Sequence, residues 1–327
     1  VDTFAFNAYN AMGPVAGTKA YLDDVKRGVI ADDPKLADAI KRGACHPRLD
    51  PKGVKFRESR DSDAHPQAVP IAILLDVTGS MQAVPRTIQA ALPQLMGLLI
   101  RRGYCDHPAI MVGAIGDATC DRVPLQVGQF ESGIEVEDDL TNLYLEGGGG
   151  GHITESYELA LYFMARHTVT DHWEKRQQRG YLFTIGDEIP YSDISPSQLQ
   201  RIIDDPASEV IPTARIAAEL QERWECFHIL PNLTSHWQDS RILEPWRKLF
   251  GQNVIELDNP EAICECIAAQ IGLFEARVDD VAADLVKAGV SGSVAAAVGR
   301  AIVPASAGRA VAQTIPSSGA GSGLVAI

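Results

Sequence analysis

The sequence is short of several things at once. Aromatic residues make up only 6% of its 327 positions, although 46% are hydrophobic. That is apolar material enough for one large core and a smaller appendage at about 100–200 residues per domain, built on aliphatic side chains. Six cysteines (Cys45, Cys105, Cys120, Cys226, Cys264 and Cys266) include no Cys-x-x-Cys pair, so neither a disulfide framework nor a zinc ribbon is expected. No apolar run reaches the ~20 residues of a membrane helix, and the opening Val1-Asp2-Thr3-Phe4 lacks the basic-then-apolar order of a secretory leader. The expectation is a cytoplasmic protein with no membrane contact.

Basic charge is scarce too. Lys and Arg number 29 against 43 Asp and Glu, a formal net charge of -14, which disfavours a phosphate backbone as partner. Nucleic acid is therefore not expected to bind. The deficit is local: residues 1–68 carry +1, residues 69–284 carry -18, and residues 285–327 carry +3.

The pattern divides the chain in the same way. Residues 1–68 form an N-terminal extension, with helical spacing over 15–28 and 33–44, followed by a polar, Pro-containing connector or lid from His46 to Pro66. Arg57, Glu58, Arg60 and Asp61 in that stretch read either as a salt-bridged clamp on the following domain or as a solvated loop. Residues 69–287 alternate strand-like and helical segments. Strands are expected at 70–75, 109–116, 125–130, 180–186, 226–230 and 253–257; helices are expected at 84–101, 155–167, 197–204, 213–223, 237–250 and 260–287, the last as one long helix or a pair. The fold class is α/β: a doubly wound, mostly parallel sheet with helices on both faces. Residues 288–327 are Ala/Gly/Ser-rich. Val294, Val298 and Ile302 could form one amphipathic helix that docks a partner or a second copy, allowing self-association, or the whole tail is flexible.

Ligands of such sheets bind beyond the carboxyl ends of the strands, so residues just after each strand matter most. Three such segments carry oxygen donors: Asp76-Val77-Thr78-Gly79-Ser80-Met81, then Glu146 to Ser156 with its run of five glycines before His152 and Thr154, then Thr184-Ile185-Gly186-Asp187-Glu188. Hydroxyls and carboxylates without a convergent Cys or His pair suit a hard cation such as Mg²⁺. Alternate residues of a tight turn share a side, which aims Asp76, Thr78 and Ser80 at one space, and Gly79 permits the bend.

At these residues the chain resembles the von Willebrand factor A (vWA) domain, in the branch whose first motif reads Asp-x-Thr-Gly-Ser-Met; the likeness covers roughly residues 69–272. It implies a Rossmann-like fold and a metal-ion-dependent adhesion site formed by Asp76, Thr78, Ser80, Thr154 and Asp187. Ser156 competes with Thr154 for its role. By resemblance the metal is Mg²⁺, or Mn²⁺, with one position open to a partner's Asp or Glu. The family also implies an adaptor or assembly role, in bacterial members often beside a MoxR-type AAA+ ATPase. On this reading the chain is not an enzyme.

Two rivals stand beside it. A haloacid-dehalogenase-like phosphatase would use Asp76 as nucleophile, but Thr78 occupies the place of that chemistry's acid/base carboxylate, and Lys175 is the one lysine between 81 and 186. An assembly protein with a vestigial metal site is the other. Asp117, after the second strand, and His152 are candidates for the rim of the site. Cys105 with His107, and His167 with His172, lack complementary ligands, so zinc is not expected there, and Cys264 and Cys266 read as packing residues.

Overall fold

The computed structural model describes residues 45–148 and 150–302. The helices expected at 15–28 and 33–44, and the chain after residue 302, lie outside the described residues.

Six strands form the central sheet: β1 (Val69–Asp76), β2 (Pro108–Ile115), β3 (Leu125–Val127), β4 (Gly180–Ile185), β5 (Trp224–Pro231) and β6 (Val254–Leu257). Their spatial order is 3-2-1-4-5-6. All neighbours run parallel except β3, which lies antiparallel on the edge against β2 with Gly113 opposite Val127. At Gly113 a Cβ would stand 2.4 Å from the Gln126 carbonyl oxygen, so only glycine lets the edge strand close on its neighbour. The expected α/β class, mostly parallel and doubly wound, is what the chain adopts.

β1 and β2 are buried along all eight residues, as a strand covered on both faces must be. The pleat sends Ile71, Ile73 and Leu75 into one core and Ala72 and Leu74 into the other. The first core packs under helices α1 (Val84–Ala91), α2 (Pro93–Arg101), α3 (Glu135–Thr141) and, later in the chain, α7 (Ile263–Phe274), α8 (Val281–Lys287) and α9 (Gly292–Ala301). The second lies under α4 (Tyr157–Arg166), α5 (Thr213–Gln221) and α6 (Ser240–Phe250). Asp76 continues the Ala72–Leu74 parity, so its carboxyl emerges on the α4 side.

Three expectations change in detail. The helix expected over 84–101 is two helices, because Pro93 brings no N–H to continue the first. The helix expected over 197–204 is a short turn, Pro196–Gln198, followed by a π-helical turn, Leu199–Ile203, ended by Asp204 in the left-handed region (φ 65°). The segment from 260 is a 3₁₀ turn (Pro260–Ala262), α7 and α8, with α9 beyond it. Ala295 and Val298 of α9 are fully buried in the same core as Val281 and Leu285, so this helix docks on its own chain.

The connector is a clamp rather than a solvated loop. Arg57–Ser59 pairs in parallel with Thr168–Thr170. Arg60 bonds Asp171 (2.8 Å) and Glu174, and Asp61 receives Arg176 (2.8 Å) and Lys175 (3.2 Å). Leu49, fully buried, seats the start of the strap in the first core. This network holds the amino-terminal end of β1, away from the strand ends that carry the oxygen donors.

Candidate metal centre

In the 3-2-1-4-5-6 order the connections reverse direction between β1 and β4, and that switch point is where open α/β sheets place ligands. Asp76 ends β1 and Asp187 follows β4 by two residues, so the two carboxylates face each other across it.

Thr78 donates to Asp76 Oδ1 from both its backbone N–H (2.9 Å) and its hydroxyl (2.6 Å). The Thr78 hydroxyl lies 3.3 Å from Ser80 Oγ, which donates to Asp187 Oδ1 at 2.7 Å. Four of the five expected ligands therefore form one chain of oxygen atoms. Two further loops hold it. The His236 backbone N–H donates to Asp187 Oδ2 (3.0 Å), and Ser235 donates twice to the Ser80 carbonyl (2.9 and 3.0 Å). The glycine run lies against the first motif: Gly147 N–H donates to the Val77 carbonyl (2.9 Å) and Gly79 N–H to that of Gly148. A Cβ on Gly79 would meet that Gly148 oxygen at 2.9 Å, which explains glycine at position 79.

The floor is aromatic. Tyr157, the first residue of α4, donates to Asp76 Oδ2 at 2.6 Å. It packs edge-on to His228 and Trp246, which stack on each other at 3.8 Å. The Trp246 indole donates to the Glu188 carbonyl, closing the β4 loop from below. Burial pushes the His228 imidazole down to about 3, keeping it neutral within this stack.

The electrostatics are one-sided. Asp76 and Asp187 are fully buried, and among the described residues neither makes an ion pair with a basic side chain. Burial pushes the Asp76 carboxyl up to about 7, against the opposing pull of its Thr78 and Tyr157 hydrogen bonds. Glu155 and Glu188 are also held above the ordinary glutamate range, chiefly by burial. Each keeps one buried carboxylate oxygen without a partner. Such a concentration of desolvated carboxylates is costly unless a cation compensates it. The oxygen–oxygen spacings of 2.6, 2.7 and 3.3 Å bracket the edge of about 2.9 Å that an octahedron with Mg–O bonds of ~2.0–2.1 Å requires. The residues present thus fit a small hard cation.

Thr154 is placed differently from the other four. Its hydroxyl lies 3.1 Å from His152 Nδ1, and the His152 Nε2 lies 3.1 Å from Asp117 Oδ2. Thr154 therefore bonds into a second group, at the end of β2, composed of Asp117, Cys120, His152 and Tyr191. Ser156, its competitor, accepts from the Ala118 backbone N–H (2.9 Å) and is buried away from the oxygen chain. The sequence placed Glu155 and Glu188 in the oxygen-donor segments only as neighbours of Thr154 and Asp187, and singled out neither Tyr157 nor Cys120 for the site. Tyr157 directly follows Ser156, and its one local signal is helical phase at the start of α4. For Cys120 the signal was only its place three residues after Asp117.

No protein-family profile matches the chain, and no curated protein matches it. Solved structures do. The pilus adhesin SpaC from Lactobacillus rhamnosus GG aligns over 65% of this chain and 31% of its own, with 10% identity and a TM-score of 0.46. A von Willebrand factor type A protein from Catenulispora acidiphila aligns over 63% and 42%, with 15% identity and a TM-score of 0.39. The VWA domain of SpRpn10 aligns over 60% and 94%, with 11% identity and a TM-score of 0.37. The matched region thus spans about a third of the adhesin's length.

Proposed function

We propose that the chain is a vWA-type, metal-dependent protein-interaction module and not an enzyme. Asp76, Thr78, Ser80 and Asp187, with Thr154 on the neighbouring loop, would hold Mg²⁺ or Mn²⁺. One observation carries the reading: four oxygen donors from two strand ends converge at the switch point around buried carboxylates that have no basic partner among the described residues. The bound cation would supply a positive centre with an open position for an acidic side chain of a partner protein.

The chain's own groups do the rest. Asp76 is the anchor, fixed on both oxygens by Thr78 and Tyr157, and its position is set by the rigid end of β1. Thr78 and Ser80 contribute neutral oxygens, which limits the negative charge at the centre and leaves affinity for an incoming carboxylate. Asp187 is aligned by the His236 backbone N–H, which ties the β4 loop to the β5 loop. The Thr154 hydroxyl has two lone pairs, so whether it donates to His152 Nδ1 or accepts from it, at least one remains for a cation. A net charge of -14 works against long-range attraction of an acidic partner, so selection rests on contact at the cation. A MoxR-type AAA+ ATPase is the partner class proposed from the family resemblance.

Titration of the chelator-treated chain with Mg²⁺, in the presence of an excess of a carboxylate ligand such as acetate, tests the site. Saturable binding that disappears in Asp76→Ala and Asp187→Ala supports it. Absence of saturable binding in the wild type refutes it. Aryl-phosphate turnover dependent on both metal and Asp76 would replace this function with a phosphohydrolase.

A further inference from the structure

The group at the end of β2 has a different chemistry from the oxygen chain. Asp117, Cys120 and His152 each offer one ligand atom, and the three atoms lie within 4.8 Å of one another. We propose that these side chains form a second, separate metal site, of the zinc class, with three protein ligands and a fourth position open.

The donor set is mixed: a cysteine sulfur that would ligate as thiolate, an imidazole and a carboxylate. Such a set selects a borderline-soft cation that favours tetrahedral geometry over Mg²⁺ or Ca²⁺. The spacing agrees. A tetrahedron with Zn–S of ~2.3 Å and Zn–N and Zn–O of ~2.0 Å has S···O and N···O edges of about 3.5 and 3.3 Å. The observed separations are 3.4 Å from Cys120 Sγ to Asp117 Oδ2 and 3.1 Å from His152 Nε2 to the same oxygen.

Each ligand is also positioned by its surroundings. Asp117 is fully buried, and its carboxylate accepts from the Thr119 backbone (2.7 Å), the Thr119 hydroxyl (2.8 Å) and the Tyr191 hydroxyl (3.1 and 3.2 Å). The Thr154 hydroxyl beside His152 Nδ1 can accept a hydrogen bond from that nitrogen, fixing the tautomer whose Nε2 is unprotonated and aimed at Asp117, as in metal-binding imidazoles whose second nitrogen donates to a partner. Gly150 makes room for the ring, since a Cβ there would come within 2.3 Å of Nε2. Cys120 and His152 are both exposed, so a cation can reach them from solvent.

The site does not depend on the Mg²⁺ reading, and one experiment separates the two. The chelator-treated full chain, saturated with Mg²⁺, is titrated with Zn²⁺ by calorimetry and with Co²⁺ by visible absorption. The wild type is expected to bind one equivalent, with the strong d–d bands of tetrahedral Co²⁺ and a sulfur-to-cobalt charge-transfer band. Cys120→Ala removes that band, and Cys120→Ala and His152→Ala each weaken Zn²⁺ by more than about 100-fold. Thr154→Val weakens it by about 10–100-fold, and Thr154→Ser does not. Asp76→Ala leaves Zn²⁺ binding intact. The proposal is overturned by absence of stoichiometric binding, by binding that survives both Cys120→Ala and His152→Ala, or by binding lost in Asp76→Ala alone. Cys120 and His152 support no core packing, so their variants retain the fold.

Discussion

Gly186, between β4 and Asp187, is the tightest point of the candidate centre and can be probed by a double-mutant cycle. A Cβ placed there would stand 1.7 Å from the Tyr157 hydroxyl oxygen and 2.8 Å from Asp76 Cβ. Asp76 ends a rigid strand, so the tyrosine is the group that must yield. Displacing it breaks the 2.6 Å bond to Asp76 Oδ2. Loss of a buried hydrogen bond to a carboxylate costs about 1.5–3 kcal/mol, and overpacking adds about 1–3 kcal/mol. Gly186→Ala should therefore destabilise by roughly 2.5–6 kcal/mol, and Tyr157→Phe alone by the ~1.5–3 kcal/mol of the bond. The double variant should cost no more than Gly186→Ala, because the bond is already lost in that single variant and the phenylalanine relieves its worst clash. The expected coupling is thus at least about 1.5–3 kcal/mol in the direction of mutual rescue. Urea denaturation in the presence of chelator reads it, with stability taken from the midpoint at unchanged slope. Costs that add to within about 0.5 kcal/mol would show that Tyr157 and Gly186 do not meet, and the described floor of the site would be wrong.

Two more perturbations test the electrostatics. Glu158 is buried in the first turn of α4, and burial pushes its carboxyl from the ordinary 4.5 up to about 8. The folded chain therefore binds this proton more tightly than the unfolded chain. The contribution of this group to stability should be greatest below about pH 4.5 and decline as pH rises toward 8, by up to ~4–5 kcal/mol at about 1.4 kcal/mol per decade. Glu158→Gln should remove that slope, and equal pH profiles for variant and wild type would count against the burial argument. Asp61 has the opposite sign: the Arg176 hydrogen bond, joined by Lys175, holds its carboxyl below the usual range. It should stabilise the chain above about pH 4, with the gain lost on further acidification. Asp61→Asn is expected to cost ~1–2 kcal/mol at pH 7 and progressively less as pH falls below the ordinary carboxylate range, as read from thermal midpoints; a cost independent of pH would reject the clamp's ionic character.

The parts of this molecule visible in its sequence are those encoded locally. Val69–Asp76 announces itself because both faces of the strand are buried and every residue is apolar until the aspartate. Asp76, Thr78 and Ser80 converge because a single turn sets their geometry, and Asp187 joins them because β4 is the next strand across the switch point. What was hidden depends on closure between distant segments. His152 meets Asp117 across 35 positions, and no periodicity reports that approach. The antiparallel course of β3 is likewise settled by pairing with β2, since three buried residues read alike in either direction. The helical spacing of 84–101 persisted through Pro93 because the apolar stripe continues on both sides of the break.

The clamp has a consequence for how the molecule could be handled. It grips the start of β1, whereas the oxygen donors sit at its other end, eight residues later. At ~3.3 Å per residue the two poles are about 25 Å apart, where two unit charges interact by only about 0.7 kcal/mol at an effective dielectric constant of ~20. Neutralising Asp61 by mutation should therefore be felt only weakly at Asp76. An immobilising linker or fluorescent reporter attached along the strap would leave the pole that carries the oxygen donors largely undisturbed.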